Sequence, residues 1–306
     1  AFGEKSDVCS ENNHTTKLNL LAPSVVPGLE SKTKGDAGKI GIIGGSIEYT
    51  GAPYFAAISA LKVGADLVYV VTTEEAAPVI KNYSPDLIVY PFLNYKSASK
   101  ISSLLQKMDV IVIGPGLGRE DETMTLVYDI IKTCKSLQKP LVIDADGLYA
   151  LSKNPSIIKD YPSPGLILTP NQREANKLMN SVPNNSSSKW YNFWGDFVSV
   201  LVKGEQDIFF SSITSYDWSL SQGGSGRRAA GQGDILAGSL GTIFNWALKQ
   251  PICGKDNAIQ LSQSISAFAA AKLTRLCNSK GFSIHGRSMI ASDMIGQIHS
   301  SFEDVF

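Results

Sequence analysis

The sequence lacks the features that mark several specialised classes of protein. Lysine plus arginine and aspartate plus glutamate balance at 28 each, and no basic tract is longer than Arg227-Arg228. This balance gives no reason to expect a nucleic-acid partner. No apolar run approaches the length needed to span a membrane, so no membrane partner is expected either. An anionic ligand would therefore have to be bound by a few residues at one site rather than attracted by an overall positive charge.

Cysteine and histidine are scarce, and neither shows the spacing of metal ligands. The three histidines form no pair, and the four cysteines are far apart without a CxxC motif: Cys9, Cys134, Cys253 and Cys277. We therefore expect no disulfide framework and a reducing compartment. The chain begins at Ala1 without Met, so a targeting segment could have been lost. We expect a cytoplasmic location and leave a mitochondrial one open.

Three catalytic motifs are also absent, which narrows the classes of enzyme. No Walker A sequence GxxxxGK[ST] occurs, and neither GxSxG nor HExxH is present. These absences argue against a P-loop enzyme, a serine hydrolase and a zinc peptidase.

What the chain does contain is a regular alternation of short apolar runs and helical patterns. Apolar residues make up 43% and charged residues 18%, enough for a sizeable core. Seven apolar runs predict strands at 39–43, 67–71, 87–90, 110–113, 141–143, 166–168 and 198–202. Wholly apolar strands alternating with helices indicate a mostly parallel sheet with helices on both faces, a three-layer αβα fold.

The ends of the chain depart from this alternation. Residues 1–16 are polar and predict a loose tail, which leaves 17–306 as a single domain. A hairpin is predicted at 208–212 and 215–221. The predicted final helices are 234–248, 257–277 and 289–302.

The most informative stretch is the glycine-rich segment 223–238. Its glycines run up to Gly233, and Asp234 then opens an apolar run with helical spacing. Such a loop presents the free amides of a helix N-terminus, which attract anions. A carboxylate beside a bound phosphate can act as a base toward an incoming hydroxyl. The alternative is a plain turn in which Asp234 only caps the helix.

Further polar loops follow the predicted strands. The segments 44–53 and 114–119 are rich in glycine, and 144–147 carries Asp144 and Asp146. Ligands of open α/β sheets bind at the carboxyl ends of the strands, so these loops are candidates for one site. A simple turn and helix cap would explain the two aspartates equally well.

Two later loops carry a candidate cation site and a candidate phosphate site. Asn171 and Glu174 share one face of a helix start, where they could hold a hydrated Mg²⁺ or form a capping box. Lys203 ends a strand and could meet a phosphate, although a surface turn fits as well.

These stretches together resemble one enzyme family. Residues 44–53, 114–119, 144–148, 169–171 and 224–234 are similar to segments of the NAD(P)H-hydrate dehydratases, within the ribokinase-like superfamily. The resemblance runs from about residue 20 to 300, and its motifs are specific as a set. It implies a ribokinase-like fold and a hydro-lyase that repairs hydrated NADH and NADPH. ATP would phosphorylate the added hydroxyl and Mg²⁺ would assist, with release of ADP and phosphate.

The resemblance also implies roles for individual residues. Asp234 would be the catalytic base, with Gly231 and Gly233 in the anion-binding loop. The hydrated dinucleotide would contact Gly118, Asn171, Gln172, Arg173, Glu174, Ala175, Asn176, Lys177 and Asp234. The nucleotide would be held by Lys203, Gly204, Glu205, Gln206, Asp207, Gly224, Ser225, Gly226, Arg227, Arg228, Ala229, Ala230, Gly231, Gln232 and Gly233. Glu174 is the candidate metal ligand.

Several alternatives stay open from the sequence. The Arg227-Arg228 and Gln232 form of the loop resembles the eukaryotic, ATP-using branch rather than the members that use ADP. The Asn171-x-x-Glu174 form keeps a ribokinase-like small-molecule kinase possible, and a nucleotide-binding module without turnover is a third reading. Apolar residues on the terminal helices fit a homo-oligomer interface or the core equally well.

Overall fold

Nine short strands form one mixed sheet in the computed structural model, which describes residues 8–183, 188–254 and 256–306. The spatial order is β3-β2-β1-β4-β5-β6-β7-β8-β9. The strands are β1 Lys39–Ile43, β2 Leu67–Val71, β3 Ile88–Tyr90, β4 Val110–Ile113, β5 Leu141–Ile143, β6 Leu166–Leu168, β7 Val198–Val202, β8 Asp207–Phe210 and β9 Trp218–Leu220. The strands from β3 to β7 pair in parallel, whereas β8 and β9 pair antiparallel.

Eleven α-helices accompany the sheet within the described ranges. They are α1 His14–Leu21, α2 Gly51–Val63, α3 Ala76–Tyr83, α4 Ala98–Lys107, α5 Asp121–Ser136, α6 Asp146–Lys153, α7 Gln172–Ser181, α8 Gln232–Lys249, α9 Ala258–His285, α10 Ala291–Ile295 and α11 Ile298–Val305. None is long and apolar enough to cross a membrane.

Two apolar cores cover the two faces of the sheet, as the wholly apolar strands predict. One core combines residues of α2, α8 and α9 with Ile42 and Val112, and the other combines α4 to α7 with Ile43 and Ile113. Neighbouring residues of one strand thus point into opposite cores. The three-layer prediction is confirmed, and so is the hairpin, as β8 and β9.

The order of the strands indicates which edge of the sheet is suited to ligand binding. Strand β1 lies between β2 and β4, so the chain turns in opposite directions on either side of β1. At such a switch point the loops after neighbouring strands diverge and leave a crevice. The predicted glycine-rich loops 44–53 and 114–119 follow β1 and β4 at this edge of the sheet.

Some elements differ from the sequence-based prediction. Helix α3 was not predicted, because it is short and buries only Ala76, Ala77 and Ile80. The predicted helix 289–302 is instead divided into α10 and α11. Gly296 follows α10 and donates its amide to Ser292, which ends the first helix.

The expectation of no disulfide is wrong. Cys9 and Cys253 are joined by a disulfide with their Cα atoms 5.4 Å apart. The two cysteines are 244 residues apart in sequence, so only the folded chain brings them together. Cys134 and Cys277 are free and buried. Helix α1 begins within the predicted tail 1–16, of which residues 1–7 lie outside the described residues, and its Leu18 is fully buried.

Candidate active site

Helix α8 begins at a glycine whose backbone allows no side chain. Gly231 precedes the helix with φ 96°, and a Cβ there would lie 2.8 Å from Phe55 and 2.9 Å from Ala291. A larger residue would strain the backbone and push these neighbours away. The amide of Gln232 donates to the carbonyl of Ala229 at 3.4 Å, and the next amides of α8, those of Gly233 and Asp234, have no partners in their own helix. They form the anion-attracting end that the glycine pattern predicts.

Asp234 occupies the third position of α8 and does not cap it. The capping position is taken by Gly231, and no side chain makes a capping hydrogen bond there. Burial, with smaller contributions from the charges of Asp144 and Asp146, raises the pKa of Asp234 to about 8, and Lys203 opposes this rise. A carboxyl group with a pKa near the working pH is suited to act as a base.

Lys203 connects the sheet to the start of α8. Its Nζ lies 3.0 Å from Oδ1 of Asp144 and would lie 2.9 Å from a Cβ on Gly233. Burial would lower the lysine pKa, but Asp144, Glu174 and Asp234 outweigh it and raise the pKa. The ammonium group is therefore charged and held beside the anion-attracting amides.

Asp144 is a buried partner rather than a turn residue alone. It is 1% exposed, and its Oδ1 accepts hydrogen bonds from Lys203 Nζ and from Oγ1 of Thr169, both at 3.0 Å. The next residue, Ala145, has φ 49°, which is uncommon for a residue other than glycine. Such a conformation is typical of functional loops.

The three early loops meet at this edge. Gly118 donates its amide to Asp146 at 2.9 Å, and Nε of Arg119 lies 3.2 Å from the same carboxylate. The amide of Gly45 donates to the carbonyl of Pro115 at 2.9 Å. A side chain on Gly114 would overlap the carbonyl of Asp144. The motifs after β1, β4 and β5 are therefore one packed surface.

Asn171 and Glu174 form the capping box that the sequence allowed. Oδ1 of Asn171 accepts the amide of Glu174 at 2.9 Å, and Oε1 of Glu174 accepts the amide of Asn171 at 3.0 Å. Burial raises the pKa of Glu174, and its nearby charges include Lys203, Asp144 and Asp146. The capping role leaves the second carboxylate oxygen of Glu174 for another partner.

The rest of the predicted dinucleotide segment is mostly at the surface. Gln172 and Asn176 are exposed and joined by a side-chain hydrogen bond of 2.9 Å. Arg173 and Lys177 are exposed too. Ala175 is buried in the core beneath α7, so only its backbone could contact a ligand.

The two predicted nucleotide segments face each other across two adjoining cavities of about 320 and 450 Å³. Four residues line both cavities: Gly204, Arg228, Gln232 and Arg275. The first cavity also reaches Lys203 and Gly233 and the second reaches 223–227, so the fold brings these predicted residues together. Three of the predicted nucleotide-binding residues line neither cavity: Gln206, Ala230 and Gly231.

Helix α9 supplies residues that sequence reasoning missed. Arg275 lines both cavities, and Ala271 and Thr274 line the first. Asn278 bonds to the side chain of Gln232 at 3.1 Å. Nothing in the apolar pattern of this helix marks these positions, since the signal arises only when α9 packs beside the glycine-rich loop.

The carboxylates of this edge offer oxygen ligands to a hard cation. Asp144, Asp146 and Glu174 are near enough to one another to affect the pKa of Glu174. Within the described ranges, however, no three acidic, histidine or cysteine side chains are close enough to hold a metal alone. The arrangement fits Mg²⁺ that arrives on a nucleotide and keeps waters and phosphate oxygens as its other ligands.

The sheet and its helices define an α/β protein with the ribokinase-like fold, in which a carboxylate, Asp234, lies in the first turn of α8. A solved dehydratase from Bacillus subtilis, described as ADP/ATP-dependent NAD(P)H-hydrate dehydratase co-crystallised with ATP/Mg²⁺, shares this fold. Its TM-score is 0.65 at 18% identity, over 93% of this chain and 97% of the other. A Xylella fastidiosa fructokinase with bound ATP has a TM-score of 0.60 at 10% identity, over 87% and 98%.

Closer relatives identify the family. The sequence profile described as NAD(P)H-hydrate dehydratase matches residues 40–298. A protein of Aedes aegypti named ATP-dependent (S)-NAD(P)H-hydrate dehydratase is 48% identical over 98% of this chain and 88% of its own length. A Danio rerio protein of the same name is 44% identical over 99% and 93%. The chain belongs to the NAD(P)H-hydrate dehydratase family.

Proposed function

We propose that this chain is a hydro-lyase that uses ATP to dehydrate (S)-hydrated NADH and NADPH, regenerating NADH and NADPH. The relatives that carry this name match nearly the whole chain. The observation that carries the proposal is the position of Asp234. It opens α8 beside Lys203, between the loops after β4 and β5 and the cavities along the glycine-rich segment. In this proposal Asp234 is the base, and it lies between the binding site of the ring hydroxyl and the binding site of the nucleotide.

The reaction begins with transfer of the terminal phosphoryl group. The ionised carboxylate of Asp234 takes the proton of the ring hydroxyl. The hydroxyl oxygen attacks the γ-phosphorus at the same time, and ADP leaves. Charge on the transferred group is stabilised by the amides at the start of α8 and by the Lys203 ammonium. Asp144 holds that ammonium in place through its 3.0 Å contact.

The phosphorylated hydrate then loses phosphate. Hydroxide is a poor leaving group and phosphate a good one, so the first step prepares the second. The ring nitrogen supplies electrons as the carbon–oxygen bond breaks, and loss of a neighbouring carbon-bound proton restores the ring double bond. The net change is removal of water from the hydrate and hydrolysis of ATP to ADP and phosphate.

Bound to the nucleotide, Mg²⁺ would neutralise charge on the phosphates. Glu174 would hold it through the carboxylate oxygen that the capping bond leaves over. Asn171 stands at the same helix start and lines the first cavity, which supports this placement.

The wider assignments belong to this proposal. We propose that 17–306 act as one catalytic domain and that the partners are ATP and the hydrated dinucleotides alone, without nucleic acid or membrane. We propose a cytoplasmic location. The Cys9–Cys253 disulfide counts against this location, because the expectation of a reducing compartment assumed that no disulfide forms.

The test is to incubate hydrated NADH with the protein, ATP and Mg²⁺ and follow the absorbance of the reduced nicotinamide. We expect recovery with ATP, and none without nucleotide. Parallel reactions with ADP decide which nucleotide is used. Failure with both nucleotides would contradict the proposal, and accumulation of a stable phosphorylated alcohol would favour a small-molecule kinase instead.

A further inference from the structure

Arg275 of α9 joins two loops of the nucleotide site. Its Nη1 forms an ion pair with Asp207 at 3.2 Å, and its Nη2 donates to the carbonyls of Glu205 and Ser221 at 2.8 and 2.9 Å. Its Nε donates to the carbonyl of Gln222 at 2.8 Å. The side chain is 11% exposed. One planar guanidinium therefore links the turn between β7 and β8 to the chain after β9.

Asn278, three residues further along α9, holds the rest of the glycine-rich segment. Its Nδ2 donates to the carbonyl of Arg227 at 3.2 Å and to Oε1 of Gln232 at 3.1 Å. Its Oδ1 accepts from Oγ of Ser225 at 2.5 Å. Asn278 is 1% exposed. Residues three apart share one helix face, so both side chains project toward the same loop.

The loop has little internal structure of its own. Residues 222–230 belong to no helix or strand, and Gly223 and Gly224 have φ values of 81° and 80°. A segment so rich in glycine loses much conformational entropy when it is fixed. Contacts to α9 hold it before any ligand arrives, including a 2.9 Å hydrogen bond from the amide of Gly224 to the carbonyl of Arg275.

We propose that Arg275 and Asn278 are positioning residues that hold the glycine-rich loop and the 203–207 turn in the nucleotide-binding conformation. The donors of Arg275 are engaged by loop carbonyls and Asp207, so its role is to shape the cleft rather than to bind phosphate. Preorganisation of this kind increases affinity by removing an ordering cost from the binding step. The inference rests on the proposed ATP site, but not on the dehydration.

Three variants test the inference. Arg275→Ala removes the link between the loops, and Arg275→Lys keeps the charge but loses the planar fork of donors. Asn278→Asp keeps the size and the acceptor but loses the Nδ2 donor. Lys272→Met is the matched control, because Lys272 lies on the same helix and instead bonds to Asn19 at 2.7 Å.

Three measurements distinguish a positioning role from a general effect on stability. ATP affinity by calorimetry should fall at least about 10-fold in Arg275→Ala and several-fold in the other two variants. The turnover number at saturating ATP should change by less than about 3-fold, since ATP itself then orders the loop. Trypsin should cleave after Arg227 and Arg228 faster than in the wild type, and ATP should restore protection. Lys272→Met should match the wild type in every assay.

Unchanged ATP affinity together with unchanged cleavage in Arg275→Lys and Asn278→Asp would overturn the inference, even if Arg275→Ala fails to fold. A lower turnover number with unaltered affinity would also overturn it, because it would place the residues in the chemistry. If the variants bind ATP more weakly but the wild type does not convert hydrated NADH, the proposed function is refuted and this inference stands.

Discussion

Replacing Asp234 with asparagine should remove activity and stabilise the fold. The change keeps the size of the side chain and removes the proton acceptor, so we expect the turnover number to fall by about 10²–10⁴. ATP affinity should hold below about pH 8, where Asp234 is mostly protonated, and should improve above it, because an ionised carboxylate beside the phosphates is then lost. The same absorbance assay and calorimetry would measure both quantities.

The stability gain follows from the pKa of Asp234. Burial and the neighbouring aspartates raise that pKa from 3.8 to about 8. Near pH 3 the carboxyl is protonated in both the folded and the unfolded chain, so no cost arises. As the pH rises toward 8 the unfolded chain releases this proton and the folded chain retains it, so stability falls, and above about pH 8 the full cost of the ionised group is present.

The magnitude can be bounded. Raising the pKa from 3.8 to about 8 corresponds to a ceiling of roughly 6 kcal/mol against the ionised form. The side chain is partly exposed, so solvent screens part of this cost and we expect about 1–3 kcal/mol. Urea unfolding at pH 5 and pH 9 should therefore show a gain for Asp234→Asn that is larger at pH 9. A variant that is active and less stable at pH 9 would refute the reasoning and return Asp234 to a purely structural role.

Two other perturbations address the charge beside Asp234 and the disulfide. Wild-type kcat/KM should rise with pH toward about 8. Lys203→Met should move this rise to higher pH, because Lys203 lowers the pKa of Asp234, and it should also raise KM for ATP. The exposed Lys132→Met is the control, and an unmoved profile in Lys203→Met would contradict the assignment. Cys9→Ser should lower the free energy of unfolding by about 2–4 kcal/mol without altering the turnover number, because the Cys9–Cys253 bond closes a long loop. Equal urea midpoints for the wild type and Cys9→Ser would contradict that expectation.

The strands were predictable because a parallel sheet buried on both faces needs wholly apolar runs. The predicted strand bounds 39–43, 67–71 and 198–202 match β1, β2 and β7. The last helices were less predictable, since the apolar pattern at 289–302 continues across the break near Gly296. The apolar pattern of a segment does not show where the chain must turn so that α10 and α11 can pack against α9.

The family prediction is confirmed, and the motifs that carried it lie on one edge of the sheet. The fold brings together the loops after β1, β4 and β5 and the start of α8. The roles given to single residues remain predictions. Asp234 is clearly not the helix cap, because Gly231 takes that position.

Apolar periodicity and glycine-rich turns are local properties of the chain, so the order of the strands and the positions of the glycine-rich loops could be predicted from the sequence. The contacts that those loops make depend on how the helices pack against the sheet. The tertiary structure raised the pKa of Asp234 by burying it near Asp144, joined Cys9 to Cys253, and set Arg275 and Asn278 against the glycine-rich loop. These features depend on residues far apart in sequence, whose proximity arises only when helices and sheet pack together.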